Sequence, residues 1–86
     1  MKTEEPVFVC SHIFERSRPV MLVVHDDGDW QALCGDAHAS EKPRVIGMNH
    51  LLQRDIRLRE LLDLPDGWEA ERSSPAGPWE RRAINK

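Results

Sequence analysis

The chain has little of several residue types on which small proteins often depend. It contains no tyrosine, two phenylalanines and two cysteines among its 86 residues. Two cysteines cannot build the multiple-disulfide framework of a small secreted domain. The longest purely apolar run, residues 20–24, is far too short to cross a bilayer, and the acidic N-terminal stretch lacks the apolar core of a signal peptide. We therefore expect a cytoplasmic protein with reduced thiols and no membrane partner.

The charged residues are numerous but nearly balanced in sign. Apolar residues make up 40% of the chain and charged residues 31%, which is typical of a folded soluble domain, and the net charge is -3. A negative net charge argues against a dedicated nucleic-acid binder. The length allows one domain over residues 1–86, and we expect its core within about 6–72. Residues 73–86 would then form a tail that Trp79 anchors.

Alternating apolar residues and turn signals predict a small sheet. Strands are expected over residues 6–14, 20–24, 29–34, 44–48 and 68–72. The Asp-Asp-Gly-Asp sequence at residues 26–29 is typical of a tight hairpin turn between two of these strands. In the strand that follows, alternation places Trp30, Ala32 and Cys34 on one face, and alternation in the last strand places Trp68 and Ala70 inward.

The segment between the last two predicted strands has helical signals with an interruption. Asn49 is the expected cap of a short helix over residues 50–54, and Asp55 is the expected cap of a second one. The second helix would present an apolar stripe to the sheet, formed by Leu58, Leu61 and Leu62. These elements together predict an α+β fold, namely a small antiparallel sheet of about five strands with one broken helix packed on a face.

Two stretches of the chain resemble a known family. "RPVMLVVHDDGDWQALCG" and "LLDLPDGWEAER" are similar to segments of a family of small bacterial domains of unknown function, whose relatives are proposed to be immunity proteins of polymorphic toxin systems. The resemblance covers roughly residues 7–72. The chain has Gly35-Asp36-Ala37-His38 where many members of the family have Gly-Asp-Glu. The resemblance implies an α+β fold and a protein partner, and it supplies no catalytic residues.

The acidic side chains around the predicted hairpin are the leading candidate for a recognition surface. Residues 1–43 carry four basic and eight acidic side chains, so one face of the domain is expected to be negative. We expect a non-catalytic interaction domain that binds a basic protein, such as a toxin, through Asp26, Asp27, Asp29 and Asp36. The same residues lack the ligand spacing of a calcium loop. A second copy of the chain is the other expected partner, through an exposed strand edge or Trp79.

The cysteines and histidines permit an alternative, a small zinc-stabilised domain. Cys10 and His12 are two residues apart on the first predicted strand, and Cys34 and His38 follow the third. Two thiolates and two imidazoles would complete a tetrahedral zinc shell. Thiols packed in the core as small apolar groups are the favoured interpretation, so no cofactor is expected.

Catalysis by one of the cysteines has weak sequence support. Either cysteine could pair with a histidine to form an activated nucleophile. Neither lies at a strand-to-helix elbow, and no glycine-rich loop follows to stabilise an oxyanion. The sequence therefore favours a protein that is not an enzyme.

Overall fold

A computed structural model of the chain describes residues 5–35 and 43–84. These residues form six strands and three short helices. The strands are β1 (Pro6–Val9), β2 (Leu22–Asp26), β3 (Asp29–Leu33), β4 (Arg44–Gly47), β5 (Trp68–Glu71) and β6 (Glu80–Ala83). The helices are α1 (Ser11–Phe14), α2 (Met48–Arg54) and a 3-10 helix (Ile56–Leu61).

The strands make one sheet in the order β4-β1-β3-β2-β5-β6. All neighbours are antiparallel except β1 and β3, which run parallel with Val7 opposite Trp30 and Val9 opposite Ala32. The predicted α+β class is therefore confirmed, with a sixth strand and one parallel pair in a mostly antiparallel sheet. The parallel pair arises because β3 returns from its hairpin with β2 and inserts beside β1.

The first predicted strand, residues 6–14, is much shorter in the structure. β1 ends at Val9, and the chain then makes one helical turn in which the Phe14 amide donates to the Cys10 carbonyl at 3.0 Å. This turn directs Ile13 into the core, where it is 2% exposed. The prediction of a longer strand was wrong because β-branched side chains favour strands, whereas burial of Ile13 here favours a turn.

The predicted hairpin at residues 26–29 is confirmed. Asp26 pairs with Asp29, and the two residues between them both have left-handed backbones, with φ 58° at Asp27 and φ 81° at Gly28. This is the geometry of the two-residue turns that match the twist of the flanking strands. The alternation predicted for β3 is also confirmed, since Trp30, Ala32 and Cys34 are all buried.

The helices cover one face of the sheet and build the core against it. Leu51, Leu58 and Leu61 pack against side chains of the central strands, including Val23 and Trp30. The broken helix is present, although α2 begins at Met48, after Gly47, rather than after the predicted cap Asn49. The second predicted cap is confirmed. The side chain of Asp55 accepts a hydrogen bond from the Arg57 amide at 3.0 Å.

The predicted apolar stripe of the second helix is only partly correct. Leu58 and Leu61 are buried, whereas Leu62 is 48% exposed. The reason is the helix type, because a 3-10 helix has three residues per turn and aligns positions 58 and 61 on one side. The stripe was predicted with the period of an α-helix, which places position 62 inward as well.

The last part of the chain extends the sheet. β5 buries Ala70 completely, but Trp68, which was predicted to point inward, is 37% exposed. Residues beyond it return as β6, which pairs antiparallel with β5 and was not predicted. Trp79, just before β6, is half-buried, and its indole Nε1 donates a hydrogen bond to the Arg57 carbonyl at 3.2 Å. Trp79 is thus engaged within its own domain.

Candidate functional site

Two cysteines and one histidine converge at one edge of the sheet. One ligand atom from each of Cys10, His12 and Cys34 lies within 4.8 Å of the other two. The Nδ1 atom of His12 is 3.5 Å from the sulfur of Cys34, and both cysteines are free thiols. The structure therefore brings together three of the four residues of the predicted zinc set, and His38 lies outside the described residues.

The parallel pairing of β1 and β3 positions the two sulfurs. The carboxyl ends of parallel neighbours lie at the same edge of a sheet, and Val9 is opposite Ala32. Cys10 directly follows Val9, and Cys34 comes two residues after Ala32, so the two thiols meet there. The helical turn of α1 then brings His12 to them. Cys10 and His12 had been predicted to lie on one strand, which is wrong, because the chain has already left the sheet at Cys10.

The two thiols lie in an apolar environment. Cys10 is 6% exposed and Cys34 is 5% exposed. Burial and the neighbouring Cys10 thiol raise the pKa of Cys34, while the positive charge of Arg18 acts in the opposite direction. A raised pKa favours the protonated thiol of Cys34. A metal would have to displace protons from the thiols, so its binding would be stronger at higher pH.

The spacing of the three donors agrees with the dimensions of a zinc shell. Zinc–sulfur and zinc–nitrogen bonds of normal length separate two ligands of a tetrahedron by about 3.5 Å. The separation between His12 Nδ1 and Cys34 Sγ is 3.5 Å, and the other pairs, within 4.8 Å, would need to approach by at most about 1.3 Å. Thiolate and imidazole donors select zinc over magnesium or calcium.

The four predicted recognition residues differ in their exposure to solvent. Asp27 and Asp29 are exposed at the β2–β3 turn, Asp26 is half-buried, and Asp36 lies outside the described residues. A further carboxylate joins the turn. Asp66 accepts a hydrogen bond from the Gly28 amide at 2.7 Å, although the two are 38 positions apart. The sequence carried no signal for this contact beyond the turn-forming character of both segments.

His25 connects the acidic turn to the core. Its ring stacks on Trp30 with the ring centroids 3.9 Å apart and the planes inclined by 10°. Its Nδ1 lies 2.7 Å from the carbonyl oxygen of Leu64, which can only accept, so Nδ1 carries the proton in this contact. Its Nε2 lies 3.8 Å from the carboxylate of Asp66. The acidic turn is therefore connected to the hydrophobic core through His25.

Comparisons with protein-family models, with curated proteins and with solved structures find no match to this chain. The resemblance to proposed immunity proteins therefore stays a prediction. In the part of the chain that the structure describes, no helix has the length and apolar character needed to cross a membrane.

Proposed function

We propose that this protein is a small zinc-binding domain in which Cys10, His12 and Cys34 hold the metal. The observation that carries the proposal is the convergence of two sulfurs and one imidazole nitrogen within 4.8 Å of one another. The three residues come from the end of β1, from α1 and from the residue that follows β3. One ion would therefore tie three separate segments together.

The role of the metal is structural. A catalytic zinc keeps an open position for water and substrate, whereas a structural zinc is closed off by protein ligands. Both cysteines are almost completely buried, which agrees with a closed site. In a domain of this size the core alone provides little stability, and a metal that binds only the folded state adds its binding free energy to that of folding.

Native mass spectrometry with and without chelator tests the proposal. We expect one zinc ion per chain, a lower melting temperature after chelation, and loss of zinc in the variants Cys10→Ser, Cys34→Ser and His12→Asn. The variant His50→Asn is the matched control, since His50 is an exposed histidine on α2 that is not in the cluster. A bare mass after refolding with excess zinc would overturn the proposal.

The fourth ligand is addressed by a separate variant. His38, which completes the shell predicted from the sequence, lies outside the described residues. If it binds the metal, His38→Asn weakens zinc affinity to the same degree as His12→Asn. Unchanged zinc affinity in His38→Asn would assign the fourth position to another group and leave the three-residue cluster in place.

We propose a second function for the acidic end of the sheet, recognition of a basic protein partner such as a toxin. The observation that favours it is the junction of the hairpin with the turn before β5, where Asp66 adds its carboxylate to those of Asp27 and Asp29. Clustered exposed carboxylates speed association with a cationic partner and make it dependent on salt. No catalytic residue is involved in this function.

A lysine-rich peptide is a suitable probe for the acidic end. We expect the double variant Asp27→Asn, Asp29→Asn to bind it more weakly at low salt while keeping the wild-type melting temperature. The matched control removes two exposed carboxylates elsewhere, Glu60→Gln and Glu80→Gln, so that net charge is equal in the two variants. Equal losses in both variants would mean that only net charge matters, which contradicts a defined surface. Dimerisation of the chain alone would identify a second copy as the partner.

A further inference from the structure

A cleft on the opposite side of the domain from the acidic turn is not used by either proposed function. It has a volume of about 460 Å³ and lies between the segment that joins α1 to β2 and the pair formed by α2 and the 3-10 helix. Apolar side chains line it, among them Ile13, Leu51 and Leu58. This volume falls within the range of small-molecule binding sites.

Three arginines surround this apolar lining. Arg16 and Arg18 come from the segment after α1, and Arg54 comes from the end of α2. Asp55 is the one carboxylate that lines the cleft within the described residues, and its two oxygens bind elsewhere. One accepts from the Arg57 amide at 3.0 Å and the other from Arg72 at 2.6 Å. Among the described residues that line the cleft, positive side chains therefore outnumber negative ones.

The guanidinium of Arg54 is held at the cleft by the fold. Its Nη1 donates to the Ile13 carbonyl at 2.8 Å, and its buried Nε has no hydrogen-bond acceptor among the described residues. Burial and the nearby charge of Arg16 lower the pKa of Arg54, because both disfavour a second positive charge there. Arg54 therefore places a positive charge at the cleft, which a bound anion would compensate.

The position of Arg16 is set by the end of α1. Arg16 has φ 63°, in the left-handed region that side chains other than glycine, asparagine and aspartate rarely adopt. Here it ends α1, because the Ser17 amide donates to the His12 carbonyl at 2.9 Å and the Arg16 amide donates to the Ile13 carbonyl at 3.1 Å, a common arrangement at helix C-termini. A glycine at this position would make the same turn without cost, but it would remove one of the three charges from the cleft.

We propose that this cleft binds a small amphiphilic anion, a molecule with a carboxylate or phosphate head group and an apolar body. The head group would be bound by Arg16, Arg18 and Arg54. The body would lie against the exposed Pro19 and the small part of Ile13, Leu51 and Leu58 that faces the cleft. Guanidinium groups suit both kinds of head group because their donors match two oxygens at once. This inference does not use the acidic turn, and it shares one residue with the surroundings of the zinc site, since the charge of Arg18 also acts on Cys34.

Isothermal titration calorimetry with a matched set of ligands tests the proposal. We expect decanoate, decyl phosphate or both to bind. The ligand with the higher affinity identifies the preferred head group. Decanol, which has only the body, and inorganic phosphate and acetate, which have only the charge, should bind at least tenfold more weakly. If decanol bound as tightly as the anions, the site would be an apolar pocket that does not recognise a head group, and the proposal would be overturned. The proposal would also be overturned if neither anion bound.

Variants distinguish this cleft from other positive surface. Arg16→Gly removes a charge and relieves the left-handed backbone, so the variant is expected to fold, and Arg18→Gln changes a second exposed arginine. Each should weaken binding by tenfold or more. The control is Arg59→Gln, an exposed arginine of the 3-10 helix that does not line the cleft. Wild-type affinity in both cleft variants, or an equal loss in the control, would refute the assignment.

Discussion

At the scale of single residues, Arg72 is the most heavily bonded side chain of the described chain. It is 3% exposed, and its guanidinium donates to the Val20 carbonyl through Nε and Nη2, to the Pro75 carbonyl and to the carboxylate of Asp55. Its carbon Cζ also lies 4.2 Å from the centre of the Trp79 ring. A buried charge is tolerated only when it is paired and its donors are satisfied, and Arg72 meets both conditions.

Replacing Arg72 tests this network. Arg72→Met should lower the free energy of unfolding by about 3 kcal/mol or more, because it leaves the Val20 carbonyl and the Asp55 carboxylate without their partner. Arg72→Lys should also be destabilising, since an ammonium cannot reproduce the forked donors. Urea unfolding monitored by tryptophan fluorescence measures both, with the exposed Arg59→Met as the control. A loss below about 1 kcal/mol in Arg72→Met would show that the network contributes little.

At the scale of elements, the 3-10 helix decides which leucines support the core. Three residues per turn place Leu58 and Leu61 over the sheet, and Leu61 is 2% exposed while its neighbour Leu62 is 48% exposed. The helix starts as 3-10 immediately after Asp55, whose extended backbone interrupts α2 and whose side chain caps the new turn. The break between the helices thus changes the helical period and with it the buried face.

The two adjacent leucines give a matched pair of variants. Leu61→Ala should lower the free energy of unfolding by about 2–5 kcal/mol, because it removes a fully buried side chain and leaves a cavity. Leu62→Ala should cost less than about 1 kcal/mol, as is usual for an exposed position. Chemical denaturation of both variants checks this. If Leu62→Ala were as damaging as Leu61→Ala, the period of the helix would be that of an α-helix.

At the scale of the whole molecule, opposite charges lie at the two ends of β2. The cleft with Arg16 and Arg18 precedes its first residue, and the acidic turn follows its last residue, Asp26. A strand of this length separates its ends by about 13 Å. Within the described residues these two places carry opposite charge, and a partner for one need not compete with a ligand for the other.

The last strand, β6, forms one edge of the sheet. β6 covers the edge of β5, and Trp79 in front of it binds Arg57 and stacks with Arg72. A chain that ends at Gly77 should melt at a lower temperature and self-associate, because it exposes the β5 edge. The ion pairs of Arg82 with Glu69 and Glu71 are exposed and add little to this effect. Circular dichroism and size-exclusion chromatography measure both results; an unchanged melting temperature with a monomeric profile would contradict the role of β6.

The predictions from the sequence are confirmed where short-range chemistry decides the structure. The turn at residues 26–29 was predictable since aspartate and glycine tolerate left-handed backbones. The cap at Asp55 was predictable for a similar reason, because a side-chain oxygen can bind an amide two residues later. The length of β1 and the inward position of Trp68 were wrong, because both depend on what covers each surface.

By itself the sequence determined most of the strands of this protein, the break in its helix, the hairpin, and a set of thiols and imidazoles from which a metal site could be built. Only the tertiary structure decided that β1 and β3 are parallel neighbours, which brings Cys10 and Cys34 together, and that Asp66 joins the acidic turn. It also placed Arg54 beside Arg16 and Arg18 across an apolar cleft. The physical reason is one and the same in these cases. Propensity acts over a few neighbouring residues, whereas strand order and long-range contacts depend on how the whole chain buries its apolar surface.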